Sequence, residues 1–437
     1  MRPQANHQQG ATDIVSGPDK NLNLYIRGMK PSATVAINER SDALRADGQD
    51  IIKFGLGQSP FPVPEIVVQA LRDSAHEKDY LPVKGLRRLR DTVAAFHARR
   101  DGIEGRSGDD VLVGPGSKEL LFLLQLVFYG DLVIPAPAWV SYAPQARIIG
   151  RTVRMVPTGP DNGWRLQPDR LARLCEEDEG RPRILVLNYP SNPTGLSFDA
   201  AQLHDIATIA RKHQLVVVSD EIYGEVHHNG AHVSLARFYP EGTIISSGLS
   251  KWCGAGGWRI GTFFFPPQMR WLLDAMATAA SETYTSVCAP IQHASVRAFE
   301  SGPEIEAYLT ASRRVLRALG DWCAATLRSG GIGVDDPDGA FYLFPNFEPL
   351  RPQLEAKGVR TAEQLCAALL EETGVAILPG TDFGRPHGEL TCRLAYVDFD
   401  GGEAIENAAR ELDFRWLQAH CPKVVDGIKR MVNFVTS

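Results

Sequence analysis

From about residue 74 to residue 327, short runs of Val, Ile, Leu and Phe alternate with longer windows in which apolar side chains recur at helical spacing. That alternation predicts successive βαβ units, and with them an α/β fold whose mostly parallel sheet lies between helices. The predicted strands are 132–135, 184–188, 216–220, 243–246 and 259–265. Each ends beside residues able to carry chemistry. Ligands of open α/β sheets lie beyond the carboxyl ends of the strands, so a site is sought there.

After about residue 328 the pattern changes. A Gly330-Gly331 turn, a strand at 340–344, a helix near 362–371 and a strand at 392–396 read as a smaller α+β domain. The segment 21–74 carries its own helix and the loop FGLGQSPFPVP, and it is expected to pack with that smaller domain. The expected division is a flexible tail over 1–20, an N-terminal segment over 21–74, a large domain over 75–327 and a small C-terminal domain over 328–437. The last 25 or so residues read as amphipathic helix.

Composition agrees with this and removes other classes. A chain of 437 residues exceeds what one core usually supports. Its 44% hydrophobic and 22% charged residues are those of a globular protein, not of a disordered or fibrous one. The net charge of −6 offers no basic stripe for nucleic acid. The most apolar stretch, 120–140, is interrupted by Gln125, Gly130, Asp131, Pro135 and Pro137, short of the roughly 18 to 20 apolar residues of a membrane span. Residues 1–20 lack the apolar core of a signal peptide, and the 7 Cys form neither a CxxC pair nor a metal spacing. A cytoplasmic protein with reduced thiols and no metal is expected.

The densest chemical signal is Gly248-Leu249-Ser250-Lys251, followed by a Gly-rich turn and Arg259. Lysine forms imines with carbonyl compounds, and arginine forks onto phosphate oxygens. From these residues alone, a loop with two surface cations reads the same way. In Asn188-Tyr189-Pro190-Ser191-Asn192-Pro193-Thr194-Gly195, a Pro/Gly turn leaving a strand is able to aim an amide at a ligand, or is a plain turn. Ser219-Asp220-Glu221-Ile222-Tyr223 sets a carboxylate at a strand end, where it faces a cation or caps a helix. Gly116-Ser117-Lys118 opens an apolar helix whose first amides suit a phosphate, although a capping serine is the simpler use.

Taken in order, Asn192, Asp220, Lys251 and Arg259 resemble the motifs of the class I and II aminotransferases, pyridoxal 5′-phosphate (PLP) enzymes of fold type I, closest to the bacterial aspartate/prephenate type. The resemblance covers most of the chain, from about residue 29 to 412. It implies that Lys251 holds PLP covalently and Arg259 grips its phosphate together with Gly116, Ser117 and Lys118. It further implies that Asp220 pairs with the ring nitrogen, that Tyr223 and Asn192 bond the phenolic oxygen, and that Trp139, in Pro137-Ala138-Trp139-Val140-Ser141-Tyr142, stacks on the ring. Arg393 resembles the arginine that forks onto the substrate α-carboxylate, with Asn192 and the Gly57 amide beside it. Tyr80 resembles a tyrosine that crosses a two-fold interface to the partner's phosphate, which implies a homodimer with shared sites. Two departures stand out: Gly248, where some relatives place a serine, and Gln58-Ser59, where an acidic sequence is usual.

The expected reaction moves an amino group between an amino acid and a 2-oxo acid in ping-pong fashion. By the same resemblance Lys118 meets a distal carboxylate, so aspartate or glutamate is the expected donor. An aromatic or neutral amino acid remains open at this point, as does α,β-elimination by a PLP lyase on the same fold or a non-enzymatic PLP-binding regulatory module.

Overall fold

The computed structural model describes residues 21–408 and 411–437; the reading of 1–20 as a flexible tail lies outside the described residues. Its strands are β1 (Ile52–Lys53), β2 (Val111–Gly114), β3 (Asp131–Ala136), β4 (Val153–Pro157), β5 (Arg183–Asn188), β6 (Val216–Asp220), β7 (Thr243–Gly248), β8 (Gly261–Phe264), β9 (Tyr342–Leu343), β10 (Val375–Ala376), β11 (Leu378–Pro379) and β12 (Cys392–Ala395). A 7-stranded sheet runs in the order β2-β8-β7-β6-β5-β3-β4. Within it β8 is antiparallel to both β2 and β7, and the remaining pairs are parallel.

The inner strands explain why the pattern was readable. β6 and β7 are buried at every residue and β5 at all but its last, so their apolar residues (Ile184–Leu187, Val216–Val218, Ile244–Ile245) stand consecutively rather than in alternation. Helices such as Ser117–Val127, Ala200–Lys212 and Arg270–Ser281 cover the sheet with Leu120, Leu124, Ile206, Leu272 and Met276. In this sheet two strands, β2 and β4, are additional to the expected set. β2 is only a four-residue run, and β4 is an edge strand whose Arg154 and Met155 face solvent, so neither shows a clear period.

The expected strand 259–265 begins later, at Gly261, because Arg259 stands at φ +55°, outside the extended region. The strand expected over 340–344 is likewise shortened to Tyr342–Leu343, with Ala340 at φ +56°.

Beyond the large sheet, β11, β12 and β9 form a second, antiparallel one. β1 pairs in parallel with β10, which ties the N-terminal segment to the C-terminal part of the chain. The helix Pro303–Ser329 connects the two parts, and the last helix, Pro422–Thr436, buries Val424, Ile428, Met431 and Val435 on one side. Among the described residues no helix is long and apolar enough to cross a membrane, and no group of three or more His, Cys, Asp or Glu is placed to hold a metal ion.

What matters for chemistry is the register of β5, β6 and β7. Asn188 lies beside Asp220, and Asp220 beside Ser246, so three polar residues reach the carboxyl edge of the sheet together.

Candidate active site

A cavity of about 570 Å³ opens at that edge. Its lining includes Gly57, Ser117, Lys118, Trp139, Asn192, Asp220, Tyr223, Lys251 and Arg259, which converge from six separate stretches of sequence.

Asp220 ends β6 inside the protein. Tyr142 Oη donates to its Oδ2 at 2.5 Å and Ser246 Oγ to its Oδ1 at 3.3 Å. Asn188 fixes the main chain here: its Nδ2 donates to the Asp220 carbonyl at 2.9 Å, and its Oδ1 accepts from the Asn192 amide at 2.7 Å. Burial raises the Asp220 carboxyl to about 6, against the lowering effect of both hydroxyls. Among the described residues it has no ion-pair partner. A buried carboxylate in that position is suited to a cationic ring nitrogen.

Lys251 follows β7 after a short turn. Its Nζ donates to the Gly57 carbonyl at 2.7 Å and lies 5.7 Å from the Tyr223 ring centroid and 5.9 Å from that of Phe341. Burial, then the positive charges of Arg393 and Arg259, lower this amine to about 8, with Asp220 pulling the other way. Tyr223 shares a 2.7 Å hydrogen bond with the buried Tyr342 hydroxyl, and burial pushes its own phenol well above the usual range.

The opposite wall is an anion cradle. Gly116 caps the helix Ser117–Val127 at φ +90° without a side-chain cap, leaving first-turn amides for a ligand. Arg259 donates to the carbonyls of Gly256 at 2.9 Å and Pro115 at 3.3 Å, which holds its guanidinium over this turn. The approach is so close that a Cβ at Gly116 would lie 2.1 Å from Arg259 Nη2, and one at Gly261 would lie 2.2 Å from the Ser117 amide. Lys118 Nζ sits 5.1 Å above the Trp139 ring, and burial followed by repulsion from Arg259 lowers its ammonium.

Arg393 stands just behind the lining. It is fully buried, donates from Nη1 to Asn192 Oδ1 at 3.3 Å and from Nη2 to the Gly55 carbonyl, and packs over Tyr342 and Phe383. Its Nε is buried without a hydrogen-bond partner, a donor left for a ligand. Tyr80 is not brought to the cavity: it lies between the helices Glu65–Ser74 and Arg87–Asp101 and is 90% exposed.

The sequence reading did not single out Tyr142, Tyr342, Asn188 or Ser246. Tyr142 stands three residues after Trp139 in a segment already noted, and Asn188 opens the turn that holds Asn192. The residues present fit PLP: an amide and guanidinium cradle for phosphate, an indole wall, a buried carboxylate for the ring nitrogen and a partly deprotonated lysine.

The comparisons with known proteins agree. The profile of the class I and II aminotransferases matches residues 49–397, and the chain belongs to that family. It is 33% identical to an aspartate aminotransferase of Geobacillus stearothermophilus over 405 residues, covering 90% of this chain and 98% of that one. It is 33% identical over 398 residues to an aspartate/prephenate aminotransferase of Thermus thermophilus, covering 90% and 99%. The solved Thermus thermophilus aspartate aminotransferase with maleate superposes with a TM-score of 0.79 at 32% identity, over 89% of this chain and 98% of that one. The protein is therefore a PLP-dependent aminotransferase of fold type I.

Proposed function

We propose that this aminotransferase takes a dicarboxylic amino acid, aspartate or glutamate, as amino donor and works as a cytoplasmic homodimer. The observation that carries the substrate reading is a surplus of positive charge. Arg393, Arg259 and Lys118 all disfavour the charged form of Lys251 and Arg259 does the same to Lys118; of the carboxylates, Asp220 favours the Lys251 charge and Asp382 answers Arg393. With Arg259 assigned to phosphate, Arg393 to the α-carboxylate and Asp220 to the ring nitrogen, Lys118 is left over. Its place on the lining beside Trp139 suits a second carboxylate. The names of the relatives, aspartate and aspartate/prephenate aminotransferases, point the same way.

When bound, PLP supplies the electron sink that stabilises the carbanion at the substrate Cα. The chain supplies the rest. Arg393 and the Gly57 amide hold the α-carboxylate, which fixes the Cα–H bond relative to Lys251 Nζ. That amine, lowered to about 8, carries an appreciable neutral fraction at physiological pH and takes the Cα proton as general base. Asp220 keeps the ring nitrogen protonated, Tyr223 and Asn192 bond the phenolic oxygen, and Trp139 walls the ring. The backbone amides of the Gly116-Ser117-Lys118 turn, together with Arg259, bind the phosphate, while the Lys118 ammonium faces the substrate.

The dimer reading is supported by exposed apolar surface. Leu22, Leu24, Tyr25 and Ile26 form an exposed apolar run at 57%, 76%, 57% and 46%, and Tyr80 is open at 90%, surface that a partner subunit would cover. Tyr80 is assigned to the partner's phosphate. Following the half-reaction spectrally across a panel of acidic, aromatic and aliphatic amino acids tests the substrate reading; fastest turnover with a neutral amino acid contradicts it.

A further inference from the structure

Tyr142 is buried at 2% exposure, and its hydroxyl makes the shorter of the two bonds to the Asp220 carboxylate, 2.5 Å against 3.3 Å from Ser246. It opens the helix Tyr142–Ile148, entered from β3 through the segment that carries Trp139, and the two rings meet edge to face at 5.2 Å. From the same helix Gln145 Nε2 donates to the Lys118 carbonyl at 2.8 Å. One short helix therefore touches the carboxylate, the indole wall and the phosphate turn.

We propose that Tyr142 is a positioning residue that holds the Asp220 carboxylate charged and aimed into the cavity, and so sets how tightly the protein grips the ring nitrogen of PLP. It acts through Asp220, and the proposal rests on Asp220 being the partner of that nitrogen. The charged and titratable groups facing Asp220 are known. Glu221, its neighbour in sequence, disfavours its charge but is itself paired with Arg100 and His232. Tyr223 and Lys251 approach from the cavity side, and Ser246 from β7. Burial is the largest influence on Asp220, and the Tyr142 bond is the foremost one opposing it. Without that hydroxyl the carboxylate takes up a proton more readily, and a neutral acid holds a pyridinium poorly.

The test compares wild-type and Tyr142→Phe apoproteins, each titrated from pH 5 to 9 with PLP and with the analogue that carries a CH in place of the ring nitrogen. The expected result is an acid limb moved up by about one pH unit in the variant, so that it binds PLP about twofold more weakly near pH 7 and about tenfold more weakly at pH 5. The analogue should bind both proteins equally, which also certifies that the variant is folded. An unchanged PLP affinity, or equal losses for both ligands with an unmoved acid limb, overturns the proposal. Wild-type protein that binds PLP and the analogue alike at every pH removes the Asp220 assignment, and the proposal with it.

Discussion

Lys251 Nζ and the carbonyl oxygen of Gly57 are joined by a 2.7 Å hydrogen bond between residues 194 positions apart. The bond links the amine at the end of β7 to the loop that follows β1, and β1 is paired with β10 in the C-terminal part of the chain. Gly57 is required there for a steric reason: a Cβ would lie 1.9 Å from Tyr342 Oη, inside a fully buried ring contact.

Gly57→Ala is therefore expected to displace either the Tyr342 ring or the loop, at a cost of about 1–3 kcal/mol in denaturant unfolding. It should also slow covalent capture of PLP, because the carbonyl that orients Lys251 moves with the loop. Unchanged stability together with unchanged capture would show that the contact is relaxed in solution.

Capture of PLP by the apoprotein should follow the ionisation of Lys251, since only the neutral amine attacks an aldehyde. With the amine lowered from 10.5 to about 8, the rate should rise with pH, reach half its maximum near pH 8 and then level off. Stability follows the same sign. Protonating this buried amine is less favourable in the folded than in the unfolded protein, so apoprotein stability should increase as pH rises from about 8 towards 10.5, and Lys251→Met should abolish that increase. A rate still climbing steeply at pH 10 contradicts the assigned environment.

Lys118→Ala tests the substrate side. Loss of a partly desolvated ammonium opposite a carboxylate is worth about 1.5–3 kcal/mol, or roughly ten- to a hundredfold in kcat/KM for aspartate or glutamate. A neutral amino acid should lose far less. Equal losses for both, with PLP still bound, would assign Lys118 to the phosphate alone.

Sedimentation should find a two-fold dimer at assay concentration. Tyr80→Phe should weaken PLP binding while leaving the dimer intact, because it removes only the hydroxyl assigned to the partner's phosphate. A fully active monomer contradicts that assignment.

Much of this arrangement was legible because parallel sheets write themselves plainly. The run Val216–Asp220 is buried on both faces, so its end, and Asp220 with it, stood out from the sequence. Gly116 and Arg259 were legible as types, a turn-former and a fork, although their 2.1 Å constraint belongs to three dimensions. Tyr142 and Tyr342 were not. A buried tyrosine looks like core until the partner of its hydroxyl is known, and here the partners lie 78 residues away at Asp220 and 119 away at Tyr223. The edge strand β4 escaped because solvent on its outer side leaves no apolar run, and the strands near Arg259 and Ala340 were drawn too long because a left-handed φ leaves no compositional mark in a non-glycine residue.

The central claim is that Lys251 is the covalent anchor of PLP. Reduction of the holoenzyme with borohydride followed by peptide mapping reads this directly, since reduction fixes the cofactor to the lysine that carries it. The account predicts one phosphopyridoxyl group per chain, on Lys251, and its disappearance together with turnover in Lys251→Ala. A label on Lys118 or any other lysine, or a Lys251→Ala variant that transaminates at near wild-type rate, would contradict it.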